Sequence, residues 1–141
     1  MSAAENAAVF RRFNEEVWER GNIAIADECL VSDCVSHLPG APDIVGREGW
    51  KQFALVVRTA FPDVQMTIDD IFATDERMAV RYSFRGTQLG EWQGIAPTGK
   101  VASVEGSTVL MRMVGGKIAE SWTVWDTYTL SQQLGVIPVP A

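Results

Sequence analysis

The sequence predicts an α+β chain in which N-terminal helices pack into a curved, mostly antiparallel sheet. Two observations carry that prediction. Up to Phe61 the apolar residues recur at helical spacing, and from Val64 onward they alternate with polar ones. Gly115-Gly116 then separates two long alternating runs, as a hairpin turn does. Such strands bury one face only if the sheet curls over the helices, and the curl leaves a cone whose mouth can hold a pocket.

Phe10, Phe13, Val17 and Trp18 set the first helix, with Arg11, Arg12, Glu15, Glu16 and Glu19 on its other faces and Gly21-Asn22 as its stop. A short second helix fits residues 23–30 through Ile23, Ala26 and Leu30, and Ser32-Asp33 breaks it. Residues 34–37 read as a brief strand ending at Pro39-Gly40-Ala41-Pro42. A third helix spans 47–60, where Trp50, Phe53, Ala54, Val57 and Phe61 keep one face and Pro62 stops it. Val64, Met66 and Ile68, then Ile71-Phe72, make a strand, and Asp75-Glu76 turns the chain. The run 78–87 returns with Val80, Tyr82 and Phe84 opposed to Arg81, Ser83 and Arg85. A loop with Gly90, Gly94, Pro97 and Gly99 shapes the cone's entrance; it lacks the spacing and following helix of a phosphate cradle. Residues 101–114 are long enough for a bent strand, 117–125 pair back antiparallel, and 127–134 form a terminal helix.

The 141 residues fit one domain over 1–141, and 47% apolar with 21% charged residues is ordinary globular composition. No apolar run approaches the ~20 residues a bilayer span needs, so a membrane is not an expected partner. Eighteen acids against twelve bases give a net charge of −6 without a basic block, so nucleic acid is not expected either. Residues 1–8 lack the basic start and apolar stretch of a secretory signal. Cys29 and Cys34 form neither a CxxC pair nor a ligand cluster and read as reduced, packed thiols of a cytoplasmic protein. With His37 the only histidine, no metal site is expected.

The stretch Gly86-Thr87-Gln88-Leu89-Gly90-Glu91-Trp92-Gln93-Gly94-Ile95-Ala96-Pro97-Thr98-Gly99-Lys100 resembles the central loop of SnoaL-like polyketide cyclases. So do Gly116-Lys117-Ile118-Ala119-Glu120-Ser121-Trp122, Trp125-Asp126, the segment Leu130 to Gly135, Phe13 to Asn22 and Phe61-Pro62-Asp63. The resemblance runs in order over nearly the whole chain. It implies the cone-shaped α+β barrel of the NTF2-like superfamily. It also implies intramolecular aldol ring closure of a hydrophobic polyketide without metal or cofactor, and a homodimer or higher homo-oligomer formed through the outer sheet face. Val104, Leu110 and Trp122 would give that face its apolar character.

Cyclases of this type carry a histidine on the strand before the final hairpin and an aspartate on the returning strand. Aligned through Met111-Arg112 and Gly116-Lys117-Ile118, those positions hold Val109 and Thr123, and an asparagine on the first strand corresponds to Ser36. Val109 cannot transfer a proton and Thr123 can only hydrogen-bond, so acid/base work falls to other candidates. Asp126, in a Trp-x-x-x-Asp pattern, is either a carboxyl at the mouth of the cone or the N-cap of the terminal helix. A carboxyl among apolar walls has a raised pKa and can act as an acid near neutrality. Glu105 shares strand parity with Ser107 and Val109 and faces the pocket if they do; otherwise it is exposed or bulged. His37 is either a proton-exchanging imidazole at the pocket rim or a hydrogen-bonded loop residue. Trp50, Phe53, Tyr82, Ser107, Val109, Thr123 and Trp125 are the expected ligand-binding residues. Trp125 leads for ring stacking because it shares parity with Thr123, and Trp122 has the opposite parity. The open alternatives are a non-catalytic binding protein on the same cone and, on fold analogy alone, a hydrolase or steroid-isomerase-like enzyme.

Overall fold

The computed structural model describes residues 2–138, with the side chains of Ser107 and Val109 outside that description. The first helix, α1 (Ala3–Asn14), starts at Ser2, whose hydroxyl accepts the Glu5 amide. It then widens into a π turn, Glu15–Glu19. The wider turn brings the consecutive large side chains Val17 and Trp18 both inward, where both are buried. The Arg58 guanidinium donates to the Val17 and Trp18 carbonyls, at 3.2 and 2.7 Å, so the turn's backbone stays satisfied.

The second helical segment is shorter than the sequence predicts: a 3₁₀ turn, Ile23–Ile25, and then α2 (Ala26–Cys29). Strand β1 (Leu30–His37) begins inside the expected helix and passes through Ser32-Asp33. An irregularity between Leu30 and Val35 in its ladder with the last strand absorbs this polar pair, which therefore does not break the element. A two-residue strand, β2 (Ile44–Val45), pairs antiparallel on the edge of β1 and carried no sequence signal. The other elements fall where the patterns put them: α3 (Gly46–Ala60), β3 (Gln65–Ala73), β4 (Arg77–Thr87), β5 (Val101–Val114), β6 (Lys117–Trp125) and α4 (Thr127–Gln133). Gly115 and Gly116 turn the β5–β6 hairpin with φ of 57° and 77°, a conformation open to glycine.

The sheet order is β2-β1-β6-β5-β4-β3, antiparallel throughout except for the β1–β6 pair. One face is apolar and wraps α1 and α3. Phe10, Phe13, Phe61, Met78, Val80, Phe84, Val104 and Met111 meet there in one buried cluster. Full burial of a side chain such as Phe61 contributes roughly 1.5–3 kcal/mol.

One irregularity in β5 decides which residues face inward. Thr108 and Leu110 pair with the consecutive β6 residues Thr123 and Trp122, and Thr108 and Met111 pair with Val80 and Met78 of β4. Against both neighbours β5 thus carries one extra residue, at Val109. Before the bulge Ala102, Val104, Gly106 and Thr108 are buried; after it the inward residues are Met111 and Met113. A bulge switches the faces of everything on its far side. Val104 is therefore a core residue, correcting its expected place on the outer face, whereas Leu110 and Trp122 do lie outside.

Candidate active site

The cone encloses two adjoining hollows, of about 90 and about 190 Å³, that share Trp18, Leu38, Phe53, Met66 and Trp125 in their walls. The inner one lies between the helices, through Phe13, Trp50 and Phe53, and the sheet, through Tyr82, Thr108, Ser121, Thr123 and Trp125. The outer one opens past Pro39 and Ala41, the loop residues Trp92 and Gln93, and the α4 residues Thr127 and Leu130.

The walls are built by packing. Trp50 stands 4.7 Å from Phe13 and 6.1 Å from Trp18, centroid to centroid. Trp125 lies 4.9 Å from Tyr82 and edge-on to Phe84 at 6.1 Å. Gly106, its register partner on β5, has no side chain to displace it, and a Cβ there would overlap the indole. The entrance loop is held by the fully buried Gln88. Its amide donates to the Ile95 and Ala96 carbonyls and accepts from the Thr98 amide and hydroxyl.

The inner polar groups are neutral. The Tyr82 phenol is 2.8 Å from the Thr108 hydroxyl, which is 3.1 Å from the Thr123 hydroxyl. Burial pushes the Tyr82 phenol above its ordinary value, against the opposing hydrogen bonds from Thr108 and Thr123, so it keeps its proton at neutral pH. Burial also raises the Cys34 thiol, which lines the same wall. Asn14 donates its amide to the Met66 carbonyl at 2.9 Å and completes that end.

Asp126 is the one charged residue among the described residues lining the two hollows. It borders the outer hollow and also caps α4, accepting the Thr129 amide at 3.0 Å. Both readings of Asp126, mouth and cap, describe it. The Thr129 side chain and backbone amide hold its carboxyl below the ordinary range. It is an exposed carboxylate, outside the apolar walls that would raise its pKa.

Two expectations are corrected. Glu105 is exposed on the outer face, opposite Ser83, because the bulge at Val109 breaks the parity that would carry it, with Ser107 and Val109, onto the inward face of Met111. His37 is not at the rim. Ser36 faces the inner hollow, so His37 faces out. Its Nδ1 lies 2.9 Å from Asp43, its Nε2 2.7 Å from Glu120, and its ring is stacked on Trp122 at 5.0 Å. Of the expected ligand-binding residues, Trp50, Phe53, Tyr82, Thr123 and Trp125 line the hollows, while the Ser107 and Val109 side chains lie outside the described residues. Thr108 was missed. Its signal was the run 101–108 taken alone, where Ala102, Val104 and Gly106 alternate with Ser103, Glu105 and Ser107 and so mark the even set as inward.

The sequence model of the SnoaL-like polyketide cyclases matches residues 8–134. No curated protein matches the chain. Among solved structures the chain is similar to IdmH, a candidate polyketide cyclase from Streptomyces antibioticus. The identity is 30% and the TM-score 0.79, over 93% of this chain and 99% of that one. It is also similar to AclR, a candidate hydroxylase from Streptomyces galilaeus, at 27% identity and a TM-score of 0.86 over 99% and 91% of the two chains. TsrD from Streptomyces laurentii shares the fold at 23% identity and a TM-score of 0.87, over 97% and 99%.

Proposed function

The chain belongs to the SnoaL-like polyketide cyclase family, and from that premise we propose that its cone carries out a cofactor-independent cyclisation or isomerisation of a flat, oxygenated, polyketide-type molecule. The observation behind the proposal is the charge layout: an aromatic-walled hollow with neutral hydroxyls inside and a single carboxylate, Asp126, at its lip. A hydrogen on carbon between or beside carbonyls is already acidic, because the anion delocalises onto oxygen. Asp126, ionised at neutral pH, takes that proton as a base. The aromatic walls hold the chain of the substrate folded so that the new carbanion faces its target carbonyl. Such positioning can be worth up to about 7–11 kcal/mol, and a placed base adds roughly 10²–10⁴ in rate.

The test uses 2-tetralone, a bicyclic ketone with exchangeable C–H bonds, in deuterated buffer. Wild type is expected to speed deuterium uptake about 10²-fold over buffer, as a placed base does, and Asp126→Asn to return it to the buffer rate. Asparagine caps a helix about as well as aspartate, so this variant removes the charge and keeps the fold. Binding of 2-tetralone without faster exchange would favour the second reading, a non-catalytic binding protein. The absence of any charged group deep in the described cavity supports that alternative. We extend the proposal to a cytoplasmic homodimer or larger homo-oligomer associating through the outer face around Leu110 and Trp122. Sedimentation should then give at least twice the 15.5 kDa chain mass.

A further inference from the structure

We infer that the inner hollow grips one oxygen-bearing edge of its ligand through a band of five hydroxyls that crosses four neighbouring strands. The inference rests on the hollow being the ligand site. Ser36 comes from β1, Ser121 and Thr123 from β6, Thr108 from β5 and Tyr82 from β4, and all five line the inner hollow. The register sets them side by side: Ser36 is opposite Ser121, and Thr123 is opposite Thr108. Ser121 and Thr123 share a face because strand side chains alternate. Tyr82 reaches Thr108 diagonally, and its phenol closes the band at the β4 end.

Proton counting shows what the band offers. Tyr82, Thr108 and Thr123 own three hydroxyl protons, and their two mutual contacts use two of them. One O–H is left at one end of the chain, with lone pairs at the other, and a concerted rotation of the three hydroxyls exchanges the ends. The trio can therefore donate to a carbonyl or enolate oxygen, or accept from a phenol, without any group becoming charged. Ser36 and Ser121 continue the same wall with two more rotatable hydroxyls. Across the hollow Phe13, Trp50 and Phe53 present aromatic rings whose one polar atom is the Trp50 indole nitrogen. A flat ligand thus meets polar atoms along one edge and hydrocarbon on its faces. A neutral carbonyl, enol or phenol edge is the chemistry that satisfies this wall; a purely hydrocarbon edge leaves buried hydroxyls short of a partner. The band also explains why Thr stands at the two facing positions: it supplies a hydroxyl and a methyl, polar toward the ligand edge and apolar toward its ring.

The experiment compares 1-naphthol with its near-isostere 1-methylnaphthalene, read by quenching of tryptophan fluorescence. Wild type is expected to prefer 1-naphthol about tenfold, the size of one net hydrogen bond. Tyr82→Phe or Thr123→Val alone leaves two hydroxyls with one mutual contact and so one free O–H. The triple variant Tyr82→Phe/Thr108→Val/Thr123→Val removes it and is expected to cut the preference to within about twofold while 1-methylnaphthalene binds at least as tightly as to wild type, which also reports that the hollow is intact. Equal affinity of wild type for both probes, or a preference that survives the triple substitution, overturns the hydroxyl band and leaves the hollow as a ligand site. Binding of 1-methylnaphthalene without 1-naphthol overturns the band alone, and failure of both probes to bind overturns the ligand-site reading and the band with it.

Discussion

The two faces of the sheet divide the chemistry of this protein. The inner face carries hydroxyls, a thiol and aromatic rings, all neutral. The outer face carries His37 between Asp43 and Glu120, Arg112 at 3.4 Å from Glu120, Arg81 beside Asp69, and the exposed Glu105. Solvation accounts for the division: charges stay where water reaches them, and a closed apolar space admits polar groups that can satisfy one another. Ionisable side chains near a pocket in sequence are therefore poor guides to its chemistry until the face is known.

The sharpest way to break the inner face is Phe61→Ala. Phe61 packs on Phe84 at 4.9 Å and Trp92 at 5.7 Å and is 1% exposed. The substitution should cost about 3–5 kcal/mol in urea unfolding. Gly106→Val pushes a side chain into the Trp125 indole; about 1–3 kcal/mol of destabilisation is expected, with loss of 1-methylnaphthalene binding as the wall shifts. At the border of the two regions, Asp126→Ala should lose about 1 kcal/mol through the missing cap, and Asp126→Asn almost none. Equal losses for the two variants would show that charge, not capping, stabilises α4.

Outside, the effects are smaller and depend on pH. Glu120, then Asp43, hydrogen-bonds His37 and raises its pKa above the ordinary 6.5, and His37 in turn holds Glu120 low and ionised. A raised folded-state pKa means that the imidazolium's contribution is complete below about pH 6.5 and fades as pH climbs through the higher value. Wild type should lose more thermal stability than His37→Gln between about pH 6 and about pH 9, because only wild type has this contribution to lose. Glu105→Gln, whose carboxylate makes no ion pair among the described residues, should change stability by less than about 0.5 kcal/mol. A larger effect would mean that Glu105 has a partner on the outer face.

Much of the fold was legible because each long element repeats its period several times. Trp50, Phe53, Ala54 and Val57 mark α3, and Val80, Tyr82 and Phe84 mark β4, with no help from the rest of the chain. β2 was not legible, since two residues make no pattern, and neither was β1 through Ser32-Asp33, where its irregular pairing hides polar residues inside a strand. In the site, the aromatic lining was readable and the polar lining was not. Counting by twos back from Met111 lands on Val109, Ser107 and Glu105, but the extra residue at Val109 shifts the inward set before it to Thr108, Gly106 and Val104. That error exchanged Glu105 for Thr108. Nothing local in Thr108-Val109-Leu110 announces a bulge; it exists because both neighbouring strands pair across it.

Beyond its buried Leu130 and Leu134, the C-terminal segment is tied to β5 by one polar side chain. The Gln133 amide accepts the Ser103 backbone N–H at 2.7 Å and donates to the Ser103 carbonyl at 3.0 Å, as a rung of a missing strand would. The Ser103 amide proton is thereby shielded by a group that belongs to α4, the wall of the outer hollow that carries Leu130. Removing that group by Gln133→Ala should speed exchange of the Ser103 amide with solvent deuterium, so one resonance reports whether the helix is docked on the sheet.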